Sequence, residues 1–427
     1  IVYRKDTQSN LSDTLKVTQY PEPKWKLNND KLFAKYDMTE LTHSFECNIP
    51  FDVVFDEEVE WVKLKETKSE DGQFKMVFEL QPNTGEFFNR TKLRLENEVL
   101  GLSFPLSLSQ MYKTYDGHTV IWKKPTYNDP FASVPDFQRI TFNFILIGDG
   151  FTKEEIESGV YDLYCQEAME GMESLEPFKT YSERFGFILL HAESAESGCT
   201  DYNATYGGPK VVDTRFKCSY DEFGTGMNCD YTAIQEFVKT SIEGAGLDYI
   251  PTQDVVIVMA NGKRYGGVAN LTKSGEGVAI CPVSEEPFPN NFVQILRHEA
   301  GGHAFGKLAD EYSFGGPIDA STASYLKSWQ EAGMYLNVSM SSTEFPKPWQ
   351  ELKDRGKISD VYVGGFSCSG GVWRSSENSL MKGMDEGFNI LSRYLIYLRM
   401  KNLRGEGMDF PAASLDDFLS RDKEDTE

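Results

Sequence analysis

The chain has 427 residues, of which 40% are hydrophobic and 26% are charged, a composition typical of a soluble globular protein. At this length two domains are expected rather than one. The formal net charge of −23 argues against nucleic acid as a partner, because a phosphate backbone is bound by clustered cations that this chain lacks.

Residues 1–128 are predicted to form an all-β sandwich that serves as an accessory domain. The stretch FKMVFEL puts Phe74, Met76, Phe78 and Leu80 on one face, with the period of two of a half-buried strand. The run TKLRLE alternates in the same way, and the turn signals EDGQ and PNTG separate such runs. No catalytic residue types cluster in this part of the chain.

The proline-containing segment YNDPFASVPDF (127–137) marks a boundary, after which a second domain is expected at 129–427. The apolar runs ITFNFILIG, FGFILLHAES and DVVIVMANG are typical of strands buried on both faces. Helical segments lie between them, and this alternation predicts an α/β layer fold. GFNILSRYLIYLRM is expected to be the last helix, followed by an acidic tail that is disordered at its end.

The cysteines and the ends of the chain bear on its compartment. Seven cysteines contain no C-x-x-C pair, which argues against a cysteine zinc site, but Cys199, Cys218 and Cys229 are close enough in sequence to form a disulfide in an exported protein. No apolar run reaches 18 residues, so no transmembrane segment is predicted. Because the chain begins at Ile1, we expect a processed form whose export signal has been removed.

The segment LRHEAGGHAFGKLADEY (296–312) nearly repeats the zinc-protease signature His-Glu-x-x-His, but His298 and His303 are five positions apart. In an α-helix, residues five apart point roughly 140° away from each other, whereas residues four apart differ by roughly 40°. A shared metal therefore requires a π-type turn that absorbs one residue. Gly301 and Gly302 lie in this gap, although each costs about 1 kcal/mol in a helix relative to alanine. The alternative is two histidines that are packed or face solvent and share no metal.

A zinc hydrolase needs three protein ligands and one open position. Asp310 is predicted as the third ligand and Glu311 is the alternative, and whichever does not bind the metal could hold a histidine ring in place. Two imidazoles and a carboxylate favour Zn²⁺ over other divalent ions. Glu299, next to the first histidine, is predicted to be the general base.

At these residues the sequence resembles the IgA-peptidase-like family of bacterial zinc metallopeptidases. The similarity covers most of residues 138–400 and rests on ILIGDGFTKEEI, EPFKTYSERFGFILLHAESAESG, VDTRF, VIVMANGKRYGGVANL, the histidine helix with LADEY, and ENSLMKGM. The first 128 residues resemble the β-rich domain that precedes the peptidase domain in some members. The resemblance implies a zincin- or metzincin-like mixed sheet with an active-site helix.

The resemblance also implies roles for residues. His298, His303 and Asp310 would be zinc ligands and Glu299 the general base. Met381 matches the methionine turn that lies beneath the metal in metzincin-like enzymes.

The segment Tyr265, Gly266, Gly267 resembles the edge strand along which such enzymes bind an extended peptide, and a simple turn is the alternative.

The sequence departs from the family pattern at three positions. The family has histidines four apart, and the five-apart motif is similar instead to that of dipeptidyl peptidase III, whose variant helix still holds zinc. The metzincin third ligand follows the second histidine by six positions, where this chain has Ala309. Gly383 stands where a tyrosine often follows the methionine turn.

The predicted function is a zinc endopeptidase, secreted or in the cell envelope (bacterial periplasm or outer surface), that cleaves extended segments of protein or peptide substrates. The alternative is a catalytically weak or inactive peptidase-fold protein that binds a glycan or a protein, motivated by the inserted residue and by Gly383. An exopeptidase would need a charge that binds a chain terminus, and none was identified. The sequence sets no oligomeric state.

Overall fold

The computed structural model describes residues 24–27, 31–85, 89–111, 119–126, 141–203, 209–401 and 413–424. Contacts divide the chain into two compact units, Ile1–Lys113 and Thr114–Glu427. This division precedes the boundary expected at 128/129, because a strand at Thr119–Lys123 pairs within the sheet of the second unit. No helix in the described part of the chain is long and apolar enough to cross a membrane.

The first unit contains eight described strands. They are β1 (Trp25–Lys26), β2 (Lys31–Ala34), β3 (Glu40–Cys47), β4 (Asp52–Phe55), β5 (Val62–Glu70), β6 (Gln73–Leu80), β7 (Asn89–Asn97) and β8 (Leu102–Gln110). They form two four-stranded sheets, in the orders β1-β3-β6-β5 and β2-β8-β7-β4. All pairs are antiparallel except β2–β8, which is parallel.

One apolar core lies between these two sheets. The ring of Phe51 is 5.9 Å from that of Phe74 on one sheet and 5.6 Å from that of Phe104 on the other. Phe74, Met76, Phe78 and Leu80 are all buried, as the alternation in FKMVFEL predicts. The β-rich N-terminal region expected from the sequence is therefore present.

The second unit mixes strands and helices. Its strands are β9 (Thr119–Lys123), β10 (Phe142–Asp149), β11 (Phe185–Leu190), β12 (Thr200–Asp201), β13 (Ser219–Tyr220), β14 (Met227–Asn228), β15 (Val255–Ala260), β16 (Val268–Leu271), β17 (Gly277–Pro282), β18 (Val338–Ser339), β19 (Tyr362–Gly365) and β20 (Cys368–Arg374). Its α-helices are α1 (Lys153–Glu157), α2 (Val160–Glu173), α3 (Tyr231–Gly244), α4 (Phe292–Leu296), α5 (Ala320–Glu331), α6 (Lys347–Asp354), α7 (Ile390–Lys401) and α8 (Ala413–Arg421).

The centre of this unit is a six-stranded sheet in the order β16-β17-β15-β10-β11-β9. Its four inner strands are parallel, and both outer strands run antiparallel to their neighbours. Phe142 stacks on Phe305 at 4.2 Å on one face of β10, whereas Ile145 shares a core with Ile234 of α3 on the other face. Helices therefore cover both faces, which confirms the α/β layers expected from the apolar runs.

Between β11 and β15 lies a small sheet of β12, β13 and β14 that carries a disulfide. Cys218 and Cys229 form this bond, and Cys199 remains a free thiol that donates to the Cys218 carbonyl at 3.4 Å. Of the three cysteines that the sequence grouped together, two are therefore paired.

In the described part of the chain, two helices follow β20, where one was expected. The prediction that α7 is the last helix was wrong, because Ala413–Arg421 forms α8. The buried ring of Phe418 lies 5.0 Å from that of Tyr394 and 5.5 Å from that of Tyr397. Packing against α7 therefore stabilises a segment whose acidic composition resembles a disordered tail.

Candidate metal centre

The histidine motif lies where a helix changes from α to π. Asn291 begins α4, and its side chain accepts a hydrogen bond from the Gln294 backbone N–H at 3.1 Å. The next nine residues, Arg297–Phe305, form a π-helix. It closes with an i→i+5 bond from the Gly306 N–H to the Gly301 carbonyl at 3.0 Å. The predicted π-type turn is confirmed, and in it residues five apart meet as residues four apart do in an α-helix.

Three side chains converge above this helix. The Nε2 atoms of His298 and His303 lie 3.1 Å apart, and each lies 3.1 Å from Oδ1 of Asp310. Among the residues that the structure describes, these three are the one group of His, Cys, Asp or Glu with the spacing of a metal site. The predicted ligands therefore come together around one point.

The other nitrogen of each ring is held by a backbone carbonyl. Nδ1 of His298 donates to the Leu380 carbonyl at 2.9 Å, and Nδ1 of His303 donates to the Leu308 carbonyl at 2.7 Å. A carbonyl only accepts, so each neutral ring carries its proton on Nδ1 and presents a lone pair at Nε2. Together with the Asp310 carboxylate, three acceptors face one another. A cation between them satisfies all three.

The dimensions of this cluster fit zinc. Around a tetrahedral Zn²⁺ with ligands at ~2.0–2.1 Å, neighbouring donor atoms lie roughly 3.3 Å apart. The observed separations of 3.1 Å are close to this value. His298 is buried, whereas 25% of the Asp310 side chain is exposed, so the Asp310 side of the cluster meets solvent. The donors present thus suit a catalytic type of zinc site, with one position open.

Asp310 and its neighbour Glu311 point to different surroundings. The Glu311 carboxylate is fully buried and accepts hydrogen bonds from Asn337 at 2.9 Å, Ser379 at 2.5 Å and Asn389 at 3.1 Å. Burial raises its pKa. The expectation that the carboxylate left off the metal would hold a histidine ring was wrong. Glu311 instead anchors the segment that carries Asp310.

Glu299 lies beside the cluster and is 8% exposed. Burial raises the pKa of its carboxyl, and the neighbouring histidines offset part of this effect. A Cβ at Gly267 would lie 3.0 Å from both Cγ and Oε1 of Glu299, so only glycine fits there without displacing this side chain. The predicted base is therefore confined next to the predicted ligands.

The electrostatics of the cluster favour positive charge. Burial by itself would lower the pKa of His303, but the Asp310 carboxylate outweighs it and raises that pKa to about 9. Although partial burial opposes it, the two histidines hold the pKa of the Asp310 carboxyl well below its usual range. Without a bound metal, the three side chains thus hold a proton strongly.

The segment Tyr265–Gly267 forms a bend that leads into β16. The Tyr265 N–H donates to Glu286 at 2.7 Å, and the Gly267 N–H donates to the Thr225 carbonyl at 2.9 Å. These two backbone donors are therefore used inside the protein. The strand β16 begins one residue later and is one of the two edge strands of the sheet.

Two features of the site escaped residue-by-residue interpretation of the sequence. The backbone carbonyls of Leu380 and Leu308, which accept from the histidine rings, cannot be recognised from the type of side chain at these positions. Burial, and after it the charge of the Asp310 carboxylate, raise the pKa of the Tyr312 phenol. The sequence pattern that could have identified Tyr312 is its position two residues after Asp310, because residues two apart in an extended segment lie on the same side. Met381, implied by the resemblance, is buried beneath the helix, where a Cβ at Gly302 would overlap its sulfur.

A mixed α/β unit that gathers two imidazoles and two carboxylates in this way defines a candidate metal-dependent hydrolase. The IgA peptidase M64 family matches residues 132–360, more than half of the chain, and the chain belongs to this peptidase family. Peptidases of this family are metallopeptidases, and the matched range includes His298, His303, Asp310 and Glu299.

Other comparisons add no argument. A search among curated proteins finds no match. Tandem immunoglobulin domains of titin are 10% identical, with a TM-score of 0.16 over 30% of this chain and 58% of theirs. An endo-fucoidan hydrolase of glycoside hydrolase family 107 is 13% identical, with a TM-score of 0.17 over 35% of this chain and 22% of its own. A family 123 glycoside hydrolase from Clostridium perfringens is 10% identical, with a TM-score of 0.13 over 71% of this chain and 57% of its own.

Proposed function

We propose that the chain is a zinc-dependent endopeptidase that hydrolyses peptide bonds within extended protein segments, with a zincin-like arrangement of sheet and active-site helix. Family membership supports the reaction class. The observation that carries the proposal is the triangle of donor atoms from His298, His303 and Asp310, each pair 3.1 Å apart, with the Glu299 carboxylate buried beside it. The inserted residue, which motivated an inactive alternative, is absorbed by the π-helix.

His298, His303 and Asp310 would hold Zn²⁺. When bound, the ion lowers the pKa of a water molecule to about 7 and polarises the scissile carbonyl. Glu299 then accepts the proton of the attacking water and later delivers it to the nitrogen of the leaving amine. Because burial raises the pKa of Glu299, its carboxyl is better able to carry that proton between the two steps.

The substrate would bind as an extra strand along β16. Val268–Leu271 is one of the two edge strands of the six-stranded sheet and follows the bend that packs on Glu299. Backbone pairing of this kind requires no chain terminus, which favours an endopeptidase. The bend Tyr265, Gly266, Gly267 would line the cleft beside the base, since two of its N–H groups are already bonded.

A secreted or cell-envelope location is part of the proposal. The disulfide between Cys218 and Cys229 supports it, because disulfides persist in oxidising compartments such as the bacterial periplasm or outer surface.

The test is the Glu299→Gln variant. With zinc added, the parent chain is expected to cleave unfolded casein, and a chelator should stop the reaction. Glu299→Gln is expected to retain one zinc per chain by elemental analysis and to lose activity by about 10³-fold, since it cannot accept the proton. Glu285→Gln, an exposed carboxylate paired with Lys263 at 3.0 Å, is the matched control and should cleave normally. Unchanged cleavage by Glu299→Gln, or a parent chain that binds no zinc, contradicts the proposal.

A further inference from the structure

The segment Asp310–Gly315, which begins at a predicted metal ligand, is fixed along the turn between β19 and β20. The Asp310 carbonyl accepts from the Phe366 N–H at 2.8 Å, and the Tyr312 carbonyl accepts from the Ser367 N–H at 3.1 Å. The Gly315 N–H donates to the Ser367 carbonyl at 2.9 Å. Three backbone bonds within six residues make this a rigid edge of the site.

The turn that holds it has an unusual backbone. Gly364, Gly365, Phe366 and Ser367 have positive φ angles of 98°, 150°, 52° and 60°. For Phe366 and Ser367 this left-handed conformation costs roughly 1–2 kcal/mol each. The conformation directs two successive N–H groups at the Asp310 segment, so the strain is retained where it fixes the site.

Asp310, Tyr312 and Phe314 alternate along the segment with the buried Glu311, and the rings of Tyr312 and Phe314 contact each other. The Tyr312 phenol is close enough to the Asp310 carboxylate for this charge to raise its pKa further after burial, and the Tyr312 ring stacks on Phe314 with centroids 5.4 Å apart and planes 22° apart. Glu311, between Asp310 and Tyr312, is buried among Asn337, Ser379 and Asn389. The two rings therefore form a continuous aromatic surface that starts at Asp310.

Phe314 contributes little to the core, because it is 81% exposed. A single exposed apolar side chain is ordinary on protein surfaces. Phe314 differs because its ring stacks on Tyr312, two residues from a predicted metal ligand, and because the backbone on both sides of it, at Tyr312 and Gly315, is hydrogen-bonded to Ser367. A fixed aromatic surface beside a catalytic centre is suited to contact with substrate.

We propose that Tyr312 and Phe314 form a substrate subsite that selects a large apolar side chain, aromatic or branched aliphatic, near the scissile bond. This inference rests on the proposed peptidase function and specifies its substrate class. The Phe314 side chain has no hydrogen-bonding atom, and its exposed ring stacks on that of Tyr312. The subsite therefore gains free energy mainly from the apolar surface that it covers and from stacking.

Equilibrium binding tests the subsite without turnover. The probes are fluorescein-labelled decapeptides of glycine and serine in which one phenylalanine is moved through the sequence, and the protein is zinc-loaded Glu299→Gln. Fluorescence anisotropy should show about tenfold tighter binding when phenylalanine occupies one or two adjacent positions, compared with glycine there. Adding Phe314→Ala should abolish this advantage, whereas Phe314→Leu should keep most of it.

Phe223→Ala is the matched control, because Phe223 is 86% exposed and lies in the turn between β13 and β14. It should leave the phenylalanine advantage unchanged. The subsite is wrong if no peptide binds, if Phe314→Ala keeps the advantage, or if Phe223→Ala removes it equally. Cleavage of the same peptides by the parent chain is measured separately. A phenylalanine preference without cleavage contradicts the peptidase proposal and supports the subsite. Cleavage without a phenylalanine preference supports the peptidase proposal and contradicts the subsite.

Discussion

The π-helix and the Asp310 segment supply the same cluster in two different ways. His298 and His303 lie within one local element, and their separation follows from its i→i+5 geometry. Asp310 is positioned through its neighbour Glu311, whose partners Asn337, Ser379 and Asn389 lie 26, 68 and 78 positions away. The positions of two of the three ligands thus follow from local spacing, and the position of the third depends on the completed fold.

The largest effects are expected when either of the two adjacent carboxylates, Asp310 or Glu311, is replaced by its amide. Asp310→Asn removes a charged donor but keeps its shape, so zinc affinity, measured by chelator competition, should fall about 100-fold or more. In Glu311→Gln an NH₂ group faces the NH₂ donors of Asn337 and Asn389. That variant should lose about 2–4 kcal/mol of unfolding free energy. If Glu311→Gln were as stable as the parent, the anchoring role would be refuted.

A smaller effect is expected inside the helix, at its two glycines. A Cβ at Gly302 would overlap the buried Met381 sulfur, whereas one at Gly301 would lie 3.2 Å from Phe178 and 3.3 Å from Met172. Gly302→Ala should therefore cost about 1–3 kcal/mol in urea denaturation. Gly301→Ala, the matched control, should cost less, because alanine's higher helix propensity offsets tight packing. Equal losses at both positions would show that the methionine contact does not distinguish them.

The smallest effect is a pH dependence that couples His303 to Asp310. Although burial opposes it, the Asp310 carboxylate raises the pKa of His303 to about 9, above an ordinary value of 6.5. Zinc must displace that proton, so zinc affinity should rise by up to about tenfold per pH unit until pH is about 9.

The same shift sets the opposite trend for the zinc-free chain. The raised pKa of His303 adds to the free energy of unfolding of the zinc-free chain. This contribution is complete below pH about 6.5 and is lost as pH rises to about 9, so thermal stability in chelator should decrease across that window. Asp310→Asn should flatten both trends, and a slope that persists in this variant would argue against the pairing.

What could be predicted from the sequence follows the same division. The spacing of His298 and His303 with two intervening glycines required a π-type turn, and continuous apolar runs identified the buried strands. The choice between Asp310 and Glu311 could not be made locally, because neighbouring carboxylates are chemically alike and their polar partners are distant in sequence. Helix α8 was missed because its apolar residues are few and depend on α7 for burial.

Main-chain carbonyls hold both imidazole rings, and this determines which sequence changes the site can tolerate among homologues. The acceptors at Leu380 and Leu308 belong to the backbone, so replacing either leucine by another apolar residue removes no hydrogen bond. Ring orientation is therefore insensitive to substitution at these positions and sensitive to any insertion or deletion that redirects the chain there. Homologous chains can therefore keep the same orientation of both imidazole rings with other residue types at the positions of Leu308 and Leu380.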